Sequence, residues 1–99
     1  MAKTREDVLE VLRHNRDTLR SFGVRRLALF GSYARGEQTT SSDLDFVVEL
    51  EERSFDSFMG LKLFLEDLFS RPVDLVLEHT IKPRLRPHIM KSLTDVPGL

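Results

Sequence analysis

The sequence predicts a single α/β (or α+β) domain, in which helices flank a small mixed β-sheet of three or more strands. Segments with apolar residues at helical spacing alternate with three short strand-like segments, which is typical of this class. The 99 residues include no cysteine, which excludes disulfide scaffolds and cysteine-based zinc sites. A chain of about 100 residues buries roughly 60–68% of its unfolded surface, enough for one apolar core. We therefore expect residues 1–99 to form one domain.

The first predicted element is a helix over residues 5–22. Val8, Leu12 and Leu19 recur at the spacing of one helical face. The segment Thr-Arg-Glu-Asp at 4–7 resembles a capping box, and Gly23 suits the end of a helix. The sequence thus supplies both a start and a stop for this helix.

A strand is predicted over residues 24–30, and its last four residues are apolar, as in a strand covered on both faces. A short helical turn is predicted from Ser32 to Gly36, followed by a polar loop at 37–42. A second strand over 43–50 alternates cleanly between two faces. The 12 residues between these strands hold too little helix for a parallel crossover, so a mixed sheet is favoured.

The second half of the chain predicts a helix, a strand and a last helix. Apolar residues form one stripe along residues 55–69, and Pro72 ends the connection to a third strand over 73–78. Pro83 fragments the tail, and a final helix is predicted from Pro87, in its first turn, to about residue 93.

Composition excludes several classes of function. The chain is 40% apolar and 31% charged, with a net charge of −1, and this balance argues against direct, unspecific nucleic-acid binding, which needs a basic field. The charged first residues do not look like a signal peptide, and the apolar runs fall far short of the ~20 residues that span a bilayer. We therefore expect a cytoplasmic protein with no membrane segment.

Three aspartates form the first candidate site. Asp43 and Asp45 are two residues apart on a predicted strand, so their carboxylates project from one face with Cα atoms about 6.6–6.8 Å apart. Such a pair repels, and a hard divalent cation such as Mg²⁺ removes that cost. Asp74 lies between Val73 and Leu75 in another strand, where aspartate is unusual, so neighbouring strands would bring three acids together. The alternative is a solvated strand start, with Asp43 closing the loop as an Asx turn.

Gly31 and Ser32 form the second candidate site. A strand that ends in Gly-Ser before a helical turn presents backbone N–H groups and a hydroxyl, which together hold phosphate oxygens. Arg35 lies one turn further and can pair with a phosphate or brace a carboxylate, while Tyr33 either lines the site or packs in the core. Taken alone, the pair is also compatible with an ordinary capped turn. The sequence contains neither a P-loop nor a dinucleotide fingerprint.

The combined string resembles the signature of the DNA polymerase beta-like nucleotidyltransferase superfamily. Gly-Ser-Tyr-Ala-Arg-Gly at 31–36 is followed, after a polar loop, by Ser-Asp-Leu-Asp-Phe at 42–46. With Val-Asp-Leu-Val at 73–76, the chain is similar to the minimal nucleotidyltransferases, small prokaryotic proteins often encoded beside HEPN-domain proteins. The resemblance covers about residues 24–94, with a catalytic core over about 24–78. Ser70 departs from the pattern, because relatives often carry glycine there.

The resemblance implies a role for each matching residue. Ser32, with the Gly31 backbone, would hold the triphosphate of ATP. Asp43 and Asp45 would ligate two Mg²⁺ ions. Asp74 would bind the ion nearer the acceptor and would orient or deprotonate the attacking hydroxyl.

The resemblance also implies a biological role, with two alternatives left open. The chain would transfer AMP to a tyrosine of a HEPN ribonuclease toxin and so act as its antitoxin. One alternative is an antitoxin that neutralises its partner by binding alone, and the other is transfer to a small molecule such as an aminoglycoside. The complete set of acids favours the enzyme, and the lack of an acceptor domain argues against the small molecule.

The partner would have to be selected by docking, because the catalytic core uses most of the chain. We expect the helix at 55–69 and the tail at 81–93 to carry exposed apolar surface rimmed by basic side chains. Such a surface also favours a homodimer when the partner is absent.

Overall fold

The computed structural model describes residues 4–39, 41–52 and 54–99. The first three residues of the predicted domain and one position of the predicted loop at 37–42 lie outside these ranges. In chain order the elements are α1 Arg5–His14, α2 Arg16–Ser21, β1 Val24–Phe30, α3 Gly31–Arg35, β2 Leu44–Leu50, α4 Phe55–Phe69, β3 Val73–Leu77, a 3₁₀ turn Glu78–Thr80, α5 Arg86–Met90 and β4 Thr94–Asp95. None of the described helices is long and apolar enough to cross a bilayer.

The sheet is mixed, as the sequence predicts, with the strand order β3-β2-β1-β4. β1 pairs antiparallel with both β2 and β4, whereas β2 pairs parallel with β3. The short α3 connection allows only the antiparallel return, while α4 supplies the long crossover that a parallel pair requires. Both connections therefore follow from the length of helix between the strands.

The predicted first helix is wrong in one respect, because residues 5–22 form two helices that meet at Asn15. The backbone of Asn15 leaves the helical region, and its side-chain amide donates a 2.8 Å hydrogen bond to the carbonyl of Val11. An asparagine that bonds a nearby carbonyl competes with the helix for it, which ends α1 there. The predicted capping box is confirmed, since Thr4 accepts from the Asp7 backbone and Asp7 accepts from that of Thr4.

The remaining differences concern short elements. The turn after β1 begins at Gly31 rather than at Ser32, and β3 ends one residue before Glu78. The last helix ends at Met90 rather than at residue 93. The two-residue strand β4 is too short for any alternation of side chains to reveal it in the sequence.

The main core lies on one face of the sheet. Four alternate residues of β2 point into it, and all are at most 5% exposed: Leu44, Phe46, Val48 and Leu50. The opposite face carries the predicted acids, and because the predicted catalytic core uses most of the chain, the sequence predicts that this face is open. That expectation is wrong at the centre of the face, where Ala28 and Val47 are buried. The 3₁₀ turn packs against β2 there, and Ile81 behind it is buried as well.

Candidate active site

The fold brings the predicted acids to one end of the sheet. Asp45 of β2 pairs in register with Asp74 of the parallel strand β3, so neighbouring strands roughly 4.8 Å apart carry these two side chains on one face. Asp43 precedes β2, two residues before Asp45, and lies close enough for its charge to act on the Asp45 carboxyl. Asp45 also faces Phe30, the last residue of β1, which leads directly into α3. The strand order therefore places the two candidate sites next to each other.

The environment of Asp45 disfavours its charged form. Burial raises the pKa of this carboxyl to about 6, and the negative charges of Asp74 and Asp43 add to the shift, while Arg35 opposes it. Asp43 and Asp74 are exposed, whereas Asp45 is half-buried. Within the described ranges none of these carboxylates forms an ion pair with a Lys, Arg or His side chain. A divalent cation would supply the missing positive charge.

This donor set fits Mg²⁺, which prefers carboxylate oxygens and keeps open positions for phosphate. Among the described residues, however, no three His, Cys, Asp or Glu side chains are already arranged to hold a metal ion. The register places the acids at one end of the sheet, but their convergence on a common point stays a prediction.

Gly31 fits closely against the acid of the neighbouring strand. Its φ of +75° is a conformation that other residues rarely adopt, and an added Cβ would lie 2.2 Å from Oδ2 of Asp45. The sequence predicts a close backbone approach at Gly31, and the group that approaches in this structure is the carboxylate of Asp45. This glycine therefore sets the distance between the start of α3 and the acids.

Ser32 and Arg35 occupy the first and last turns of α3. Ser32 is half-buried, and its hydroxyl makes no hydrogen bond with any of the residues that the structure describes. The Nε of Arg35 donates a 2.7 Å hydrogen bond to Glu37, so this side chain braces the start of the following loop. The arginine also acts on the site through its charge, which lowers the pKa of Asp45.

Two contacts of the site escape prediction from the sequence. The Nη1 of Arg71 donates a 2.9 Å hydrogen bond to the carbonyl of Ser42, and its guanidinium lies over the ring of Tyr33. Tyr33 is 2% exposed, so it packs in the core rather than lining an open pocket. The only sequence signal for Arg71 is its position three residues before Asp74.

Comparison with protein families places nearly the whole chain in one family. The nucleotidyltransferase domain family matches residues 9–96. A Methanocaldococcus jannaschii protein, provisionally named protein adenylyltransferase MJ1379, is 38% identical over 97 residues and aligns over 94% of both chains. Protein adenylyltransferase MntA of Thermococcus cleftensis is 36% identical over 95 residues, which cover 94% of this chain and 96% of that protein.

Solved structures agree on the fold. A structure described provisionally as a minimal nucleotidyltransferase is 40% identical, with a TM-score of 0.69, and the match covers 90% of this chain and 94% of that one. A tri-AMPylated Shewanella oneidensis HEPN toxin in complex with an MNT antitoxin contains a chain that matches with a TM-score of 0.65. That match covers 92% of this chain and 73% of the other, and its 19% identity supports the fold alone. The match of the family model and the two close relatives show that this chain belongs to the nucleotidyltransferase family, as one of its minimal members.

Proposed function

We propose that this protein transfers AMP from ATP to a tyrosine hydroxyl of a HEPN-domain partner and acts as the antitoxin of that pair. Relatives named as protein adenylyltransferases support the reaction, and a neighbour described as an MNT antitoxin with an AMPylated HEPN toxin supports the partner. The observation that carries the proposal is the register of Asp45 against Asp74, with Asp43 two residues away and Gly31 in contact with Asp45.

The resemblance to nucleotidyltransferases implies the roles of the acids. Asp43 and Asp45 would hold two Mg²⁺ ions, and Asp74 would hold the one nearer the acceptor. Such ions, when bound, stabilise charge on the entering and departing oxygens. Asp74 is exposed on the edge strand β3, where an incoming hydroxyl can reach it, so it can orient that hydroxyl or accept its proton.

The nucleotide would be held by the turn that begins α3. The Ser32 hydroxyl is available to donate to a phosphate oxygen, next to the Gly31 backbone. In the transfer, the acceptor oxygen forms a bond to the α-phosphorus, the bond to the bridging oxygen breaks, and pyrophosphate leaves. The contribution of these residues is mainly positioning and charge compensation.

Exposed apolar side chains support docking of a partner protein. Phe55 and Leu63 of α4 are 75% and 59% exposed, and Leu85 of the tail is 46% exposed. These are the two segments in which the sequence predicts docking surface. A contiguous exposed apolar patch marks a site where another protein binds, and these side chains are the candidates for such a patch.

Intact-mass spectrometry of the protein mixed with its cognate partner, ATP and Mg²⁺ tests the proposal. We expect the partner to gain one or more AMP units, and the gain to map to a tyrosine. Asp43→Asn should abolish labelling, whereas the matched control Asp17→Asn should not, because Asp17 lies on the exposed surface of α2.

The same experiment separates the alternative functions. If the Asp43→Asn protein neutralises its partner completely and no mass change occurs with either protein, the antitoxin acts by binding alone. If small alcohols or aminoglycosides are labelled and the partner is not, the acceptor is a small molecule.

A further inference from the structure

Arg71 lies between α4 and β3 and contacts both segments that carry the candidate nucleotide site. Its Nη1 donates a 2.9 Å hydrogen bond to the carbonyl of Ser42, the residue before Asp43. Its guanidinium carbon lies 5.5 Å from the centre of the ring of Tyr33, the residue after Ser32. A single side chain therefore contacts the immediate neighbours of two candidate functional residues.

The contacts of Arg71 with Tyr33 and Ser42 are partly shielded from water. Tyr33 is 2% exposed, so its ring is a fixed surface for the guanidinium. Arg71 itself is half-buried, and both the cation–π contact and the hydrogen bond from a charged donor gain strength where water is partly excluded. The next residue, Pro72, accepts a 3.1 Å hydrogen bond from the amide of Leu44, which begins the pairing of β2 with β3.

Asp43 needs support of this kind, because the sheet does not hold it. The strand β2 begins only at Leu44, and Asp43 is exposed after residues 41 and 42, which form neither helix nor strand. On one side of Asp43 the backbone is tied by the bond from Arg71 to Ser42. On its other side the backbone is tied by the bond from Leu44 to Pro72. These two bonds fix the residue that would share a metal ion with Asp45.

We propose that Arg71 is a positioning residue, which holds Asp43 beside Asp45 and aligns both with the start of α3 without touching the nucleotide. The inference rests on the proposed function for its consequence in catalysis. Groups that orient metal ligands from behind typically contribute 10–100-fold in metal affinity or activity, and we expect an effect of about this size from Arg71.

Two variants of Arg71 and one matched control test the inference. Arg71→Met keeps the apolar stem and removes the donor, while Arg71→Lys keeps the charge and loses the planar group over Tyr33. Arg26→Met is the control, because Arg26 is also half-buried and hydrogen-bonded, but to Asp95 and Glu78. The readouts are thermal melts, calorimetric titration with ATP and Mg²⁺, and hydrogen exchange of the 37–43 segment in the metal-free protein.

We expect Arg71→Met to weaken binding of ATP with Mg²⁺ by about 10–100-fold and to speed exchange over 37–43, with Arg71→Lys intermediate. Arg26→Met should lower thermal stability without either effect. Equal losses of stability in the two methionine variants, with unchanged nucleotide binding and exchange, would overturn the inference.

Two further outcomes are possible: Arg71→Met does not fold, or the wild-type protein binds no ATP with Mg²⁺. If Arg71→Met does not fold, Arg71→Lys decides, and wild-type affinity with wild-type exchange in that variant would overturn the inference. A wild-type protein that binds no ATP with Mg²⁺ would instead refute the proposed function, and the exchange measurement would still test whether Arg71 holds Asp43.

Discussion

Two groups of charged side chains lie on the same face of the sheet, and only one of them is neutralised by the protein itself. In the first group Arg26 lies between two acids, 2.7 Å from Asp95 and 3.2 Å from Glu78. In the second group Asp45 and Asp74 face each other across neighbouring strands, and no described cation forms an ion pair with either. The two groups share one surface but differ in whether their charges are paired.

The pKa values of the two groups show what this difference means. The hydrogen bond from Arg26 to Asp95 raises the pKa of the guanidinium, so folding favours its charged form. Burial raises the pKa of Asp45 to about 6, so folding disfavours the charged form of this acid. A half-buried acid that the protein leaves unpaired costs stability, and such residues cluster at functional sites. The first group stabilises the fold, whereas the second has no ion pair among the described residues, which is consistent with the proposed cation site.

The largest effect is expected from Gly31→Ala, which disturbs the acidic group directly. An added Cβ would lie 2.2 Å from Oδ2 of Asp45, so this carboxylate must move. A displacement of about 1 Å at a reacting centre costs roughly 100-fold in rate, and we expect at least that loss of AMP transfer. Single-turnover labelling of the partner measures the rate, and thermal melts measure the stability.

Gly36→Ala is the matched control for this substitution. Gly36 has a φ of +72°, close to that of Gly31, but beyond its chain neighbours no atom of the described residues lies within 4 Å of its added Cβ. Both variants should lose about 1–2 kcal/mol for the left-handed backbone, and only Gly31→Ala should lose transfer. Equal losses of activity in both variants would show that contact with Asp45 is not what Gly31 provides.

The sequence predicts the acidic site better than it predicts the supports of that site. The alternation predicted over residues 43–50 indicates a shared face for Asp43 and Asp45, but in the structure the strand begins at Leu44. The sequence leaves open whether the strand of Asp74 is a neighbour, and the structure pairs Asp74 with Asp45. The contact between Arg71 and Ser42 joins residues 29 positions apart through a side chain, and no local pattern encodes it. The break at Asn15 escaped prediction because apolar spacing continues across it.

Asp45→Asn should have a smaller effect, a rise in the thermal stability of the metal-free protein. The folded pKa of Asp45 is about 6, above its value of 3.8 in the unfolded chain, so the folded state binds this proton more tightly. The protonated Asp45 carboxyl therefore contributes to the free energy of unfolding below about pH 4, and this contribution is lost as the pH rises to about 6. Asp45→Asn should therefore melt at a higher temperature than the wild type at pH 7.5, and the difference should shrink towards pH 4.

Asp95→Asn should lower the thermal stability, whereas Asp45→Asn should raise it. It removes a partner of Arg26, and for an exposed pair of this kind we expect a loss of about 0.2–1 kcal/mol at pH 7.5. Melts of both variants in EDTA across this pH range measure the two effects. If Asp45→Asn and Asp95→Asn both lower the melting temperature at pH 7.5, the acidic site is not the destabilising group inferred above.

The smallest effect concerns backbone strain next to the acidic site. Ser70 ends α4 with a φ of 51°, the one non-glycine residue with positive φ among those the structure describes. This conformation costs an L-residue roughly 1–2 kcal/mol, and glycine avoids that cost. Part of the gain is offset, because glycine loses more backbone entropy on folding than serine does. We expect Ser70→Gly to stabilise the protein by about 0.5–1 kcal/mol, which corresponds to a rise in melting temperature of roughly 2–8 °C.

Ser70→Ala separates relief of strain from loss of the serine side chain. It removes the same hydroxyl but keeps a Cβ, so it should not raise the melting temperature. Transfer should be unchanged in both variants, because Ser70 is exposed and the chain resumes its path at Arg71. If Ser70→Gly gained stability but lost transfer, the strained turn would itself help to place Arg71 and Asp74, and the acidic site would extend into the junction between α4 and β3.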